Sequence, residues 1–526
     1  MNLSCADHSS RPPQVLIPRE YNAAFDLLQR NAVRSSKVAY IDAVSGVQLT
    51  YGELANQSLR FANALRAQGF APESRVLLCM LDTPEWPVAF LGCILAGVIP
   101  VAANTMQTTA DFEFMLRDSR AQGLIVSKAL LPLFEPLIGR IDTLRAVVLA
   151  GAEANSAHLT LAQMVKAGDP SALVAPTCAD DACFWLYSSG STGTPKGTVH
   201  LHSHLIQTAE LYGRGVLGIS ESDIVFSAAK LFFAYGLGNA LTFPMSVGAT
   251  TVLLSARPTP ADVFGVLTQY QPTIFYGVPT LYAALLADPD RPERSALGLR
   301  VCTSAGEALP AGIGQKWTAE YGCEILDGIG STEMLHIFLS NRPGHVRYGT
   351  TGQAVPGYRV RIMGDDGTEC GVGQIGELQI NGPTSALMYW NNRAKTKATF
   401  AGDWTLSGDK YTVDADGYYT YSGRTDDMLK VGGIYVSPFE VEASLMTHPA
   451  VLEVAVVGLA DADQLVKPKA FVVLKAGQSV RPEELQAHVK QQLASYKYPR
   501  WIEFVPELPK TATGKIQRFK LRRAAP

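Results

Sequence analysis

No CxxC pair occurs among the eight cysteines (Cys5, Cys79, Cys93, Cys178, Cys183, Cys302, Cys323 and Cys370), and several lie in apolar surroundings. That usage excludes a disulfide framework and a cysteine zinc site, and it fits a reduced, cytoplasmic protein. Charge of one sign is not in excess either. The 45 basic residues face 48 acidic ones, a net charge of −3, so there is no general attraction to nucleic acid or to an anionic membrane. The opening stretch MNLSCADHSSRPPQV lacks a basic segment followed by an apolar one, so no secretory signal is expected. One apolar run, Trp86 to Ala103, is long enough to cross a bilayer. Gly97 and Pro100 interrupt it and Asp82 and Glu85 precede it, so a buried helix, a turn and a short buried strand are expected instead of a membrane span. Repeats and low-complexity tracts are absent. The remaining partners are small molecules or proteins, and the sequence allows a homodimer.

What is present is a long chain with changing texture. Its 526 residues exceed one hydrophobic core, so two to four domains are expected. From about residue 20 to 180, segments of helical period (Tyr21 to Asn31, Tyr51 to Gln68, Ala110 to Arg117) alternate with β-rich runs (Arg75 to Met80, Ala121 to Val126, Arg145 to Leu149). A second such series places strands at Ile224 to Ser227, Thr250 to Leu254, Thr273 to Gly277 and Leu299 to Ser304. Alternation of this kind predicts two α/β layers with parallel sheets. Beyond about residue 345 the pattern becomes glycine-punctuated alternation, which predicts antiparallel hairpins or a small barrel. After Gly423 it changes again to a compact α+β mixture, with a boundary near Arg424 to Met428.

The most informative stretch is YSSGSTGTPKG, Tyr187 to Gly197. It fails as an ATPase P-loop because Pro195 replaces the second glycine and Gly197 replaces the magnesium-binding hydroxyl. It still follows a predicted buried strand, Cys183 to Tyr187. Glycines, the hydroxyls of Ser188, Ser189, Ser191 and Thr192, and the Lys196 ammonium make an anion cradle suited to a polyphosphate. In DGIGSTEML, Asp327 to Leu335, hydroxyls of Ser331 and Thr332 stand beside the Glu333 carboxylate. Hydroxyl plus carboxylate suits a hydrated magnesium with a phosphate, and a helix N-cap with an acidic first turn explains the same residues. SAGEALP, Ser304 to Pro310, ends a predicted strand with the same ambiguity. Asp409 and Arg424 flank an Asp416-Gly417 hairpin turn, and Asp409 is either a ribose-hydroxyl acceptor or an ordinary turn residue. GRGVLG, Gly213 to Gly218, follows a helical segment and lacks the strand–turn–helix context of a dinucleotide fingerprint. His200, His202 and His204 have no adjacent fourth zinc ligand, so a half-buried strand edge or loop is expected there. Lys510 and Lys515 lie in a basic C-terminal segment that reads on its own as a solvated tail.

Taken together and in order, LTYGEL (Leu49 to Leu54), YSSGSTGTPKG, GIGSTE, SGD, GRTDDMLKVGG and PKTATGKIQR resemble the motifs of the adenylate-forming superfamily of acyl-CoA synthetases, peptide-synthetase adenylation domains and luciferases. The segment AKLFFAYGLGNALTFPMSVGATTVL is similar, more narrowly, to benzoate–CoA ligases and other aryl-CoA ligases. It departs from many superfamily members in having no histidine in the Phe233-Ala234-Tyr235 region.

The resemblance implies a large domain at 1–423, with α/β subdomains at about 1–180 and 181–344 and a β-barrel-like part at 345–423. It further implies a hinge at 424–428, centred on Asp426, and a small mobile α+β domain at 429–526. It implies ATP, magnesium and coenzyme A as the small molecules bound. By the same resemblance Ser188, Ser189, Gly190, Ser191, Thr192, Gly193 and Lys196 cover the β- and γ-phosphates. Gly306, Glu307, Asp327 and Gly328 frame adenine, and Asp409 and Arg424 hold ribose. Thr332 binds the α-phosphate, Glu333 holds the metal, and Lys515 contacts carboxylate and α-phosphate. Ala234, Tyr235, Gly330, His336 and Ile337 form the acyl pocket, and Gly432 and Gly433 line the thiol tunnel. The implied reaction is AMP-forming ligation of benzoate to coenzyme A. Another small aromatic or medium-chain acid, delivery to a separate carrier protein, a luciferase-like oxygenation or a non-catalytic nucleotide module remain the alternatives.

Overall fold

The computed structural model of the chain describes residues 2–152, 156–171, 173–188, 195–424, 428–431, 434–461, 466–493, 497–510 and 516–524. Two large sheets dominate. One has eight strands in the order Met388–Tyr389, Lys196–Leu201, Ala182–Ser188, Ile99–Ala102, Arg75–Cys79, Gly123–Ser127, Ala146–Ala150 and Leu159–Thr160. From Ala182–Ser188 onward the neighbours are parallel, and the first two strands add antiparallel at one edge.

The other sheet has nine strands, ordered Gln353–Ala354, Ile337–Ser340, Ile325–Gly330, Val301–Ser304, Ile274–Gly277, Ile224–Ser227, Thr250–Leu253, Val38–Asp42 and Gln48–Thr50. Its central neighbours are parallel as well. Gly123–Ser127, Thr250–Leu253, Ile274–Gly277 and Val301–Ser304 are buried at every position, as strands covered by helices on both faces must be. Sheet membership does not change at residue 180. Val38–Asp42 pairs with Thr250–Leu253 in the second sheet, while Ala182–Ser188 pairs with Ile99–Ala102 in the first.

Capping chemistry starts the connecting helices where the sequence provides it. Thr50 and Glu53 form a capping box ahead of Tyr51–Ala67, as Thr108 and Asp111 do ahead of Thr109–Ser119. The apolar run is a buried helix, Glu85–Leu95, a turn at Gly97 with φ 75°, and the buried strand Ile99–Ala102. No helix among the described residues is long and apolar enough to cross a membrane.

The glycine-punctuated region forms an antiparallel sheet of Arg359–Met363, Gly376–Asn381, Trp404–Val413, Phe400–Ala401 and Tyr419–Arg424. The last part of the chain is α+β. Val451–Ala460 and Val466–Leu474 are antiparallel, Trp501–Phe504 joins in parallel, and helices Pro438–Met446 and Pro482–Gln492 cover a separate apolar cluster.

Candidate active site

Several of the candidate side chains lie where strands with parallel neighbours end, at Ser188 and after Gly330, the usual place for a ligand in an open α/β sheet. Ser188 closes strand Ala182–Ser188, and Lys196 opens the strand that returns beside it, paired Ser188 to Lys196. The loop between them carries Ser189, Gly190, Ser191, Thr192 and Gly193, which lie outside the described residues, as do Asp426, Gly432, Gly433 and Lys515.

Segment 331–336 leaves strand Ile325–Gly330 as a tight turn into the antiparallel strand Ile337–Ser340, with Leu335 at φ 66°. The helix N-cap reading of this motif therefore fails, because no helix follows it. The turn is held from several sides. The Met334 N–H donates to Ser331 Oγ at 3.2 Å, the Thr384 hydroxyl to Met334 O at 2.7 Å, the Ala386 N–H to Glu333 O at 2.8 Å, and His200 Nε2 lies 2.8 Å from Thr332 O.

The Glu333 carboxylate reaches back to the side of Ser188 and Tyr389. Its Oε1 accepts a 2.7 Å hydrogen bond from the Tyr389 hydroxyl and a long one, 3.4 Å, from Ser188 Oγ. Lys196 sets its ammonium 4.5 Å above the Tyr389 ring, a cation–π contact. Burial lowers the Lys196 pKa, Glu333 opposes that shift, and Arg424 adds to it. Lys196, Glu333, Tyr389 and Arg424 thus share one electrostatic neighbourhood. Tyr389 had no sequence signal. It arrives only because Met388–Tyr389 adds as the edge strand beside Lys196–Leu201, Thr198 opposite Tyr389.

Asp327 is buried and desolvation pushes its carboxyl well above the usual range, opposed by backbone N–H groups of Leu309 and Gly328. Its Oδ1 has no hydrogen-bond partner among the described residues, so the site keeps a buried acceptor in reserve beside the positive-φ turn at Gly306 (φ 95°). Glu307 follows in that turn, and Gly328 pairs with Ser340 on the neighbouring strand. On the antiparallel sheet, Asp409 and Arg424 face each other across the hairpin with Arg424 Nη1 3.1 Å from Asp409 Oδ1.

The expected acyl-pocket residues also come together. The Tyr235 hydroxyl lies 2.5 Å from Thr303 Oγ1, and Ala234 precedes it at the start of a short helix, Ala234–Leu237. His336 Nε2 is 3.2 Å from both Tyr235 O and Asn239 Oδ1. Both are acceptors, so Nε2 carries the proton. Burial drags the His336 pKa to about 3, and its Nδ1 has no partner among the described residues. The ring is hemmed in by Phe243, Tyr212 and Tyr235, with centroids at 4.5, 5.3 and 5.6 Å. Gly330 permits the close approach: a Cβ there would lie 2.6 Å from His336 C and O. Ile337 is buried at the start of the next strand. Thr303, Asn239, Tyr212 and Phe243 were missed from sequence because apolar and small polar residues in buried elements carry no motif.

The three neighbouring histidines correct the expectation of a half-buried edge. His200 lies on strand Lys196–Leu201, His202 and His204 on helix His202–Thr208, and all three are buried. His202 Nδ1 accepts from the Ala23 N–H at 3.1 Å. Among the described residues no group of three or more His, Cys, Asp and Glu is arranged to hold a metal. GRGVLG starts in the last two residues of the helical stretch that continues from His202–Thr208 to Arg214 and turns out of it at Gly215, without the strand a dinucleotide fingerprint needs.

Comparison with known proteins gives a consistent picture. Residues 27–390 match the model of the AMP-binding enzyme family, and residues 440–515 match that of the AMP-binding enzyme C-terminal domain. The chain is 60% identical to a benzoate–CoA ligase of Thauera aromatica over 99% of both chains. It is 48% identical to a 4-hydroxybenzoate–CoA/benzoate–CoA ligase of Rhodopseudomonas palustris, over 96% of this chain and 94% of that one. The crystal structure of a benzoate CoA ligase from Burkholderia xenovorans superposes with a TM-score of 0.89 at 53% identity, covering 95% of this chain and 100% of that one.

Proposed function

The chain belongs to the AMP-binding enzyme family, and on that premise we propose that it is an AMP-forming benzoate–CoA ligase, converting ATP, benzoate and coenzyme A to benzoyl-CoA, AMP and diphosphate. The observation that carries the substrate is full-length identity of 60% with a benzoate–CoA ligase. In support, the Tyr235 and His336 rings pack side by side with centroids 5.6 Å apart, and we assign them as flat, largely apolar walls for one aromatic ring.

The chemistry runs in two displacements. A benzoate oxygen attacks the α-phosphorus, the bond to diphosphate breaks, and benzoyl-adenylate forms. The coenzyme A thiol, losing its proton, then attacks the acyl carbon and AMP leaves. A free carboxylate is a poor acyl donor, and attaching AMP supplies the leaving group. Negative charge concentrates on the phosphates in the first displacement, so preorganised cations and donors aimed there lower its barrier. We assign that work to Lys196, to Ser188 and the loop after it, to Thr332 and to Lys515. Asp327 presents its buried acceptor to the adenine edge, with Gly306, Glu307 and Gly328 around it. Asp409 accepts from the ribose hydroxyls, its orientation set by Arg424.

A magnesium ion fits the donor set. Glu333 offers a carboxylate oriented by Tyr389, and magnesium takes one or two carboxylates and fills its shell with water and substrate phosphates, whose charge it neutralises when bound.

For the second displacement Lys515 is dispensable. We assign Asp426 as the hinge about which 429–526 rotates against 1–423, and Gly432 and Gly433 as the wall of the pantetheine tunnel, where a β-carbon has no room. The eight cysteines are free thiols, in keeping with a cytoplasmic enzyme. The test is product identity. Benzoate, ATP and coenzyme A should yield benzoyl-CoA and AMP in equal amounts, and formation of ADP in place of AMP would reject the proposal.

A further inference from the structure

His200 is fully buried and stacks on Phe184, with ring centroids 5.3 Å apart and 20° between planes. It has no part in the chemistry assigned above, yet it holds the segment that carries two of the groups. Its Nε2 lies 2.8 Å from the Thr332 carbonyl oxygen. A carbonyl only accepts, so Nε2 bears the proton, and a neutral imidazole protonated there has a bare Nδ1. Burial keeps the ring neutral by drawing its pKa to about 4, and it likewise lowers that of His204 well below the usual imidazole value. His204 Nδ1 is 3.0 Å from His200 Nδ1, so His204 donates and fixes the tautomer. The Leu201 N–H, at 3.4 Å from His204 Nδ1, is too long to compete well for that nitrogen.

We propose that His200, its tautomer set by His204, is a positioning residue for adenylate formation: it pins the Thr332–Glu333 peptide and thereby aims the Thr332 hydroxyl and the Glu333 carboxylate at the nucleotide phosphates. A peptide group is planar, so fixing its carbonyl fixes both flanking Cα atoms. The Ala386 N–H grips the next carbonyl, that of Glu333, at 2.8 Å. Glu333 is therefore anchored on both sides, and supporting contacts of this kind keep a reacting constellation within the few tenths of an ångström that it requires. The inference rests on the roles assigned above to Thr332 and Glu333.

The test uses the full-length enzyme and separates the two displacements. Diphosphate release with benzoate, ATP and magnesium reports the first, and benzoyl-CoA formation from supplied benzoyl-adenylate reports the second. His200→Phe keeps the volume and the stack on Phe184 but has no N–H, whereas His200→Gln restores a donor near the Nε2 position. His200→Phe should slow the first displacement about 10- to 100-fold, chiefly in kcat, with the second within about twofold of wild type, and His200→Gln should recover most of the loss. Equal loss of both displacements, or no recovery in His200→Gln at an unchanged Tm, would overturn the role. If His200→Phe does not fold, His204→Leu, which removes the donor that sets the tautomer, takes its place. A first displacement unchanged in that variant would overturn the role too. Thr332→Ala run in parallel distinguishes the failures. If it leaves adenylation intact, the assignment of Thr332 falls; if it does not and His200→Phe does, only the His200 inference falls.

Discussion

The Tyr389 hydroxyl donates a 2.7 Å hydrogen bond to Glu333 Oε1, while the Lys196 ammonium rests 4.5 Å above the same ring. One side chain therefore orients the carboxylate assigned to the metal and seats the cation assigned to the phosphates. Tyr389→Phe keeps the ring under Lys196 and removes only the hydroxyl. A hydrogen bond to a charged group contributes about 1.5–3 kcal/mol, so diphosphate release should fall roughly ten- to a hundredfold, with a higher magnesium requirement. A magnesium titration of wild type and variant checks this.

Gly238 lies against His336: a Cβ there would sit 2.3 Å from His336 Cδ2. Gly238→Ala should displace the imidazole and narrow the acyl slot, at an overpacking cost of about 1–3 kcal/mol. The expected signature is a raised KM for benzoate with the KM for ATP little changed, measured by varying each substrate at saturation of the other.

Buried His202 has its pKa lowered by desolvation from 6.5 to about 4. In the unfolded chain it protonates near 6.5, whereas the folded ring resists until about pH 4. Its contribution to stability is thus complete above pH 6.5 and is lost as the pH falls through that interval, on the order of 3 kcal/mol in all. His202→Asn keeps an acceptor for the Ala23 N–H and removes the titration. The variant should melt below wild type at pH 7.5, and the gap should close by pH 4.5, in thermal unfolding at the two pH values (roughly one unit above and two below the unfolded pKa).

Lys515→Ala should lose roughly a hundred- to a thousandfold in adenylation, or about 3–4 kcal/mol of barrier. Benzoyl-CoA formation from supplied benzoyl-adenylate should persist. If it disappeared as completely as adenylation, a lysine withdrawn between the two displacements would be the wrong picture.

Local features were legible in the sequence and long-range ones were not. Strand Ile224–Ser227 and the interrupted run Trp86 to Ala103 follow from composition and punctuation over a few residues. Glu333 was visible because its neighbours are glycine and hydroxyl residues, but whether a helix followed depended on the antiparallel partner Ile337–Ser340. Tyr389 was invisible because strand pairing across nearly two hundred residues of chain, from Thr198, puts it beside Glu333. The same holds for Val38–Asp42, which crosses to the second sheet. The alternating histidines read as a half-buried strand edge or loop because spacing reports period and not cover: Met388–Tyr389 pairs outside the strand of His200, and the chain turns into a buried helix at His202.

The measurement closest to the central claim is diphosphate release with ATP and magnesium against benzoate, 2-aminobenzoate, 4-hydroxybenzoate, cinnamate, acetate and octanoate, each with and without coenzyme A. Benzoate should give the highest kcat/KM, with thioester appearing only when coenzyme A is present. Preference for acetate or octanoate would contradict the aromatic slot built on Tyr235 and His336, and thioester formation from none of the acids would contradict the ligase itself.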